Sequence, residues 1–146
     1  MIVATTRFGS LSVEPEDVLF FPEGLIGLPS LDRCVLLADA WNPRLAWLQG
    51  LSDPDGAVAV VHPRRFVPEY QVRVAQSEWD PLQLASLADA SVLVVVGQSN
   101  DNLTLNLKAP LLLNLKACLG RQVITEDPNP LRYVILADLP RLRRSA

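Results

Sequence analysis

The longest alternation of apolar and polar positions in this chain runs from Leu103 to Ala117. Every odd-numbered position there is apolar, and the even-numbered positions are polar or proline except for Leu112. Successive side chains on a strand point to opposite faces. The pattern therefore predicts β structure in which the odd series is buried and the even series faces water or a partner.

The same segment is too long for one straight strand in a domain of this size. Its 15 residues would span roughly 50 Å at ~3.3 Å per residue, whereas a compact chain of 146 residues is about 40 Å across. We place the required bend at Pro110, because proline cannot donate a ladder hydrogen bond. Asn106, Lys108 and Pro110 then share one outer face, and we expect Lys108→Glu to leave the melting temperature nearly unchanged.

Elsewhere, short apolar runs separated by turn residues predict a mainly all-β fold of largely antiparallel strands. Many short strands in one small unit favour closure into a barrel, because closure removes exposed sheet edges. Asp80 as N-cap and Pro81 at the first helical position predict one short helix near residues 81–88. The strands are predicted at residues 2–8, 11–13 and 18–21, as an N-terminal meander, and at 34–37, 45–48, 57–62, 91–98, 122–125 and 133–136.

Composition supports one domain, which we place at residues 1–140, followed by a basic tail at 141–146 that we expect to fray. The apolar runs are far shorter than the ~18 residues of a membrane helix, and the N-terminus lacks the pattern of a signal peptide. We therefore expect a cytoplasmic protein. Cys34 and Cys118 lack the spacing of a zinc site or a disulfide framework, so we expect both to be small buried hydrophobes.

The sequence offers little for catalysis and indicates a protein that binds other molecules. His62 is the only histidine, so a hydrolase would have to be built around it. The spacing of acids and glycines predicts no metal site, cofactor or phosphate-binding loop. A formal net charge of −3 disfavours general nucleic-acid binding, which needs clustered Lys and Arg on phosphates. An RNA- or oligonucleotide-binding β-barrel stays as the alternative, because of the fold class and the arginine-rich tail.

Three blocks of sequence resemble the FliW family of bacterial flagellar assembly factors. The first is the loop from Phe21 to Leu28, with glycines at 24 and 27. The second runs from Trp47-Leu48-Gln49-Gly50 through Val60-Val61-His62-Pro63 to Tyr70. The third is Thr104-Leu105-Asn106-Leu107-Lys108-Ala109-Pro110, followed by Asn114 and by Gln122-Val123-Ile124. The chain departs from the usual family residues at four positions, namely Ile26, Leu28, Gly50 and Lys108.

The resemblance implies a non-enzymatic adaptor that works by partner switching. FliW-like proteins bind cytoplasmic flagellin, and once flagellin is exported they bind the translational regulator CsrA and relieve its repression of flagellin mRNA. Complementary charge suits an acidic adaptor to a regulator with a basic RNA-binding surface. No cofactor, membrane or small-molecule substrate is implied. The partner-binding candidates are Asn106, Lys108 and Pro110, together with Gln49 and Tyr70.

Asn106 also has a second interpretation that the sequence leaves open. At a bend, a buried amide can satisfy backbone groups that have lost their ladder partners.

Overall fold

The computed structural model describes residues 1–135. The predicted tail at residues 141–146 and the end of the predicted domain therefore lie outside the described residues. The helical elements are α1 at Gln76–Trp79 and 3-10 turns at Pro15–Asp17, Pro63–Arg65, Asp80–Leu82 and Leu87–Asp89. The strands are β1 Ile2–Thr5, β2 Gly9–Ser12, β3 Val18–Phe20, β4 Arg33–Ala38, β5 Ala46–Gly50, β6 Ala57–Val61, β7 Ser91–Ser99, β8 Asn102–Leu105, β9 Leu111–Asn114, β10 Leu119–Gln122 and β11 Tyr133–Ile135.

Seven of these strands close into a barrel, which confirms the predicted fold class. Around the barrel the order is β7, β6, β5, β4, β3, β10 and β9, and β9 pairs back onto β7. Strand β8 pairs with the C-terminal half of β7 and carries β11 on its other edge. Within the described residues the strand pairs are antiparallel except β3 with β10.

The N-terminal meander is predicted incorrectly. Strands β1 and β2 form a separate hairpin, and β3 pairs with β4 and β10 instead of β2. The turn at Pro15–Asp17 redirects the chain between them. Val3 and Val13 pack with Val35 of β4, so the hairpin covers the outside of the barrel and does not enter its wall.

The helix predicted near residues 81–88 lies earlier in the chain and is shorter. The α-helix covers only Gln76–Trp79, and Pro81 falls in the 3-10 turn that follows it. That turn ends at Gln83, whose φ of 59° is left-handed. Leu82 is buried against the barrel, and its carbonyl accepts a hydrogen bond from Asn114 Nδ2 at 2.7 Å. These contacts outside the helix override the local helix signal.

The main core lies inside the barrel, and further clusters cover its outside. One buried cluster takes side chains from six of the seven barrel strands, whereas β10 contributes Gly120. A second cluster covers the outer faces of β5, β6 and β7. Strand β7 is therefore buried on both faces, as its valine-rich sequence predicts. The inner cluster includes Leu19, Cys34, Leu48, Val60, Leu93, Leu111 and Leu113, and the outer one includes Trp47, Ala59, Val61, Val94, Val96 and Leu105.

The alternating segment forms two strands that lie end to end along the same edge of β7. Leu105 of β8 pairs with Val96, and Leu111 of β9 pairs with Leu93. Between these two pairs, the alternating segment has five residues and β7 has only two. The segment is therefore three residues longer than the part of β7 that it faces. We call this stretch, residues 106–110, the junction. The bend that the length argument requires is therefore present, and Pro110 directly precedes β9.

Because the excess is an odd number of residues, the junction moves the apolar series from one face of the sheet to the other. Residues opposite each other share a face, and residues three apart on β7 lie on opposite faces. Leu105 accordingly packs in the outer cluster with Val96, and Leu111 packs in the inner cluster with Leu93. The expectation that one face is buried and the other wet is wrong: Leu112 is fully buried too, beneath Leu82 and Val123.

The inner core leaves no space beside Gly120. A Cβ at this position would lie 2.4 Å from Cε2 of Phe21 and 2.9 Å from Cδ2 of Leu113. We therefore expect Gly120→Ala to lower the free energy of unfolding by about 1–3 kcal/mol, the usual cost of overpacking, as measured by urea denaturation.

Gly97→Ala is the matched control, since its Cβ would meet only the hydroxyl oxygen of Thr104, at 3.1 Å. We expect it to cost less than Gly120→Ala. Equal stability of the Gly120→Ala variant and the parent chain would contradict the packing described here.

Candidate functional site

The junction lies within the third block of the family resemblance, and its backbone groups are satisfied by hydrogen bonds. Asn106 N donates to the Val95 carbonyl at 3.0 Å, and Leu107 N donates to the Pro130 carbonyl at 3.1 Å. Ala109 N donates to Oδ1 of the Asn106 side chain at 3.0 Å. The interpretation of Asn106 as an amide that satisfies the bend is therefore confirmed.

The carbonyl groups of residues 107–110 each accept a hydrogen bond as well. Two of the four donors are side chains and two are backbone amides from the chain that follows β10. In order along the junction they are Tyr70 Oη at 2.7 Å, Thr125 N at 2.9 Å, Gln122 Nε2 at 3.0 Å and Val123 N at 3.0 Å. The extended segment predicted at residues 122–125 thus pairs with the junction, while the regular strand β10 begins three residues earlier, at Leu119.

Lys108 binds the segment at residues 125–127, which runs past the junction. Its ammonium group donates to the carbonyls of Thr125 and Asp127 at 2.9 and 3.0 Å, and the residue is half-buried. The expectation of a solvated lysine is therefore wrong. The geometry gives the ammonium group a structural role, because it crosslinks two chain segments through charge-assisted hydrogen bonds.

Gln122 extends this network to the loop between β3 and β4. Its Nε2 donates to the junction, and its Oε1 accepts from Ile26 N at 2.7 Å. Leu25 and Leu28 pair as a two-residue hairpin below that amide. Arg121 lies 3.4 Å from the carboxylate of Glu23 and 3.5 Å from that of Glu78. These contacts fix the conformation of the loop between β3 and β4.

Four of the five predicted site residues come together here. Asn106 and Lys108 are half-buried, whereas Pro110 and Tyr70 are buried. Tyr70 reaches the junction through its hydroxyl group. A role in binding a partner stays a prediction for all four, and what the structure places at their positions is a network of internal hydrogen bonds.

Gln49 lies elsewhere, on β5, and its side chain is fully buried. Its Nε2 donates to the carbonyls of Gly50 and Asp53 at 3.0 and 3.1 Å, which holds the turn after β5. Its Oε1 has no hydrogen-bond donor among the described residues. A side chain with no exposed surface cannot contact a partner directly in this conformation, so its contribution is to the shape of the turn.

Sequence reasoning missed the exposed apolar side chains on the two segments that meet at Gln122 beside the junction. Ile26 is 59% exposed on the hairpin loop, and Ile124 is 60% exposed two residues beyond Gln122. Leu28 is also exposed. Because residues two apart on an extended chain share a face, Ile124 lies on the same side as the Gln122 amide that holds Ile26. We call Ile26, Leu28 and Ile124 the apolar patch. The alternation of faces along an extended chain from Gln122 onward could have predicted that Ile124 is exposed.

Burial shifts the titration of two groups near these elements. Burial raises the pKa of Tyr70 to about 12, and the carboxylate of Asp127 adds to this effect. Burial likewise raises the pKa of the Cys34 thiol inside the barrel to about 12, with a smaller contribution from Asp32. Both groups are neutral at physiological pH, so neither supplies a reactive anion there.

Residues 1–135 contain neither a cluster of metal-ligating side chains nor a helix that could span a membrane. That part of the chain holds no group of three or more His, Cys, Asp or Glu side chains that could bind a metal ion. It also contains no helix of the length and hydropathy that a membrane span requires. His62 is exposed at the rim of an open groove of about 620 Å³, beside Arg64.

The contacts of Lys108 predict that its replacement destabilises the fold. In Lys108→Glu a carboxylate faces two carbonyl oxygens, and both lose their donor, so we expect the free energy of unfolding to fall by about 2–4 kcal/mol. Lys116→Glu has the same charge change at an exposed position and should change stability by less than about 0.5 kcal/mol. Similar melting temperatures for the two variants would show that the crosslink contributes nothing.

The raised pKa of Tyr70 predicts a loss of stability at high pH. Its pKa rises from 10.0 to about 12 on folding, so the folded state binds the phenolic proton more tightly. The resulting stability is fully present below pH 10 and is lost as pH rises through about 12, at up to roughly 1.4 kcal/mol per pH unit.

Urea denaturation at several pH values measures this slope. Tyr70→Phe should reduce the slope of unfolding free energy against pH between pH 10 and 12. Cys34→Ala should remove only the contribution of the thiol to that slope. An unchanged slope in Tyr70→Phe would contradict the assignment.

This chain is similar in sequence and fold to flagellar assembly factors. The family described as FliW protein matches residues 2–135. Flagellar assembly factor FliW of Bdellovibrio bacteriovorus is 37% identical over 131 residues, covering 88% of this chain and 75% of that protein. Flagellar assembly factor FliW 2 of Desulfotalea psychrophila is 34% identical over 140 residues, covering 95% and 91%. A crystal structure of the flagellar assembly factor FliW superposes with a TM-score of 0.82, over 92% of this chain and 96% of that one, at 24% identity. This chain belongs to the FliW family.

Proposed function

We propose that this chain is a non-enzymatic cytoplasmic adaptor that binds flagellin and, when free of flagellin, binds CsrA and relieves its repression of flagellin mRNA. The observation that carries the proposal is the junction. Its hydrogen bonds join it to Tyr70 and Gln122, which also belong to the family resemblance, and Gln122 holds the backbone of Ile26 in the apolar patch. Membership of a family of flagellar assembly factors supports the flagellar part of the function.

We assign flagellin to the apolar patch and the edge of the junction beside it. A subunit destined for a filament exposes, before assembly, the apolar surface that it later buries against its neighbours. The patch offers Ile26, Leu28 and Ile124 to such a surface, and Gln122 links it to the junction through hydrogen bonds to the Ile26 amide and the Ala109 carbonyl. This assignment keeps the predicted partner surface around residues 106–110. The direct contacts with flagellin are made by the exposed residues of the apolar patch beside it.

Charge favours a basic second partner and disfavours RNA itself. The chain has 16 acidic and 13 basic side chains, of which one acidic and three basic side chains lie in residues 136–146. Residues 1–135 therefore carry 15 acidic and 10 basic side chains, a net charge of −5. A surface of this sign repels phosphates and attracts a protein with clustered Lys and Arg. The RNA-binding alternative is therefore the weaker proposal.

Calorimetric titration of the purified chain with flagellin and with CsrA tests the proposal. We expect binding to each at micromolar or lower Kd, and a reduced heat for CsrA after saturation with flagellin, because bound adaptor is removed from the free pool. No binding to either protein at tens of micromolar would overturn the proposal. Retention of RNA at low salt with a steep loss on adding salt would favour the alternative.

Ile26→Ser with Ile124→Ser tests the flagellin surface. Both side chains are exposed, so we expect normal stability and a Kd for flagellin raised by about tenfold or more, the usual range for interface anchors. Ile2→Ser is the control, since Ile2 is 72% exposed and lies on β1, outside both the patch and the junction. Unchanged flagellin affinity in the double variant would exclude the patch.

A further inference from the structure

A groove of about 390 Å³ lies at the opposite end of the β9–β10 pair from the apolar patch. It is lined by residues of β2 and β4, by the turn between β9 and β10, and by the Pro15–Asp17 turn. The last two segments touch, since the thiol of Cys118 donates to the carbonyl of Glu16 at 3.5 Å. The groove is therefore formed by elements that are held against one another.

The groove combines exposed aliphatic side chains with negative charge. Leu36 is 37% exposed and Leu115 is 53% exposed, and both line it together with Leu11. Its charged lining residues are Glu16 and Asp17, and no Lys, Arg or His within residues 1–135 contributes to the lining. A ligand that fills it must therefore cover apolar surface and neutralise carboxylates.

The larger groove of the described structure has the opposite electrostatic sign. Its titratable lining residues are His62, Arg64 and the neutral Tyr70, and no carboxylate of the described residues lines it. The two grooves therefore select different ligands, because like-charge contacts suppress wrong pairings. A basic protein segment is attracted to the groove at Glu16 and repelled at Arg64.

We infer that the groove at Glu16 and Asp17 is the docking site for the basic partner of the proposed function. The occupant is a protein segment in which an aliphatic side chain stands next to Arg or Lys. The aliphatic side chain fills the space between Leu36 and Leu115, and the cation pairs with Glu16 or Asp17. A nucleic acid does not fit, because its phosphates meet two carboxylates. The inference rests on the proposed function, in which that partner is CsrA.

Calorimetric titration of CsrA into four single variants and the parent chain tests the site. We expect Glu16→Lys and Leu115→Ser each to raise the Kd for CsrA by about tenfold or more, which is typical of an interface anchor. Glu69→Lys makes the same charge change at an exposed position outside the groove, and Leu131→Ser removes an equally exposed leucine. We expect both controls to stay within about twofold of the parent chain, as rim positions usually do.

Further measurements make the result specific to the site. Flagellin affinity should stay within about twofold in Glu16→Lys and Leu115→Ser, which also shows that both variants are folded. Leu36→Ser is a second apolar variant, and it should weaken CsrA in the same way as Leu115→Ser.

The outcomes separate this inference from the proposed function. CsrA binding by the parent chain, with groove variants indistinguishable from their controls, would overturn the groove and leave the proposed function standing. Failure of the parent chain to bind CsrA would overturn both. If the groove holds a second copy of this chain, sedimentation will show a dimer that Leu115→Ser dissociates, and that result also overturns the inference.

Discussion

The structure depends on the backbone hydrogen bonds of the junction. A stretch three residues longer than its partner strand loses its ladder, and each buried carbonyl left unpaired costs about 1–3 kcal/mol. The chain satisfies the carbonyls of residues 107–110 with groups from Tyr70 and from residues 122–125, and it satisfies Ala109 N with the Asn106 side chain. Strand β9, which closes the barrel on β7, follows directly after this stretch, so the network lies at the point where the ring closes.

The two proposed docking surfaces lie at opposite ends of β9 and β10. From the level of Ile124, beside residue 109 of the junction, to Leu115 is about six residues, or roughly 20 Å of extended chain. An interface of standard size covers about 800 Å² per partner, which is about 30 Å across. Two partners centred on these surfaces would overlap. On the proposed assignment, flagellin and CsrA therefore exclude each other by occupying the same space, with no conformational change in the barrel.

Local patterns sufficed for the all-β class, the closed barrel and the bend before β9, because alternation and chain length constrain them directly. Pairing was less accessible. Nothing local to β3 says that it joins β4 and β10 instead of β2, and the helix signal at Asp80 gave way to the burial of Leu82. The exposure of Lys108 was mispredicted for the same reason: its hydrogen-bond acceptors, Thr125 and Asp127, are 17 and 19 residues away in sequence.

The odd excess in the junction also restricts which changes of length the chain can tolerate. Loss or gain of a single residue between Leu105 and Leu111 would rotate β9 by one position relative to β7. Leu111 and Leu113 would then leave the barrel interior, and Leu112 would turn inward from beneath Leu82. A two-residue change would keep Leu111 and Leu113 facing inward, although it would disturb the hydrogen bonds of the junction. The face that β9 turns toward the barrel interior is therefore set by the parity of this segment, which the apolar periodicity of residues 103–117 does not reveal.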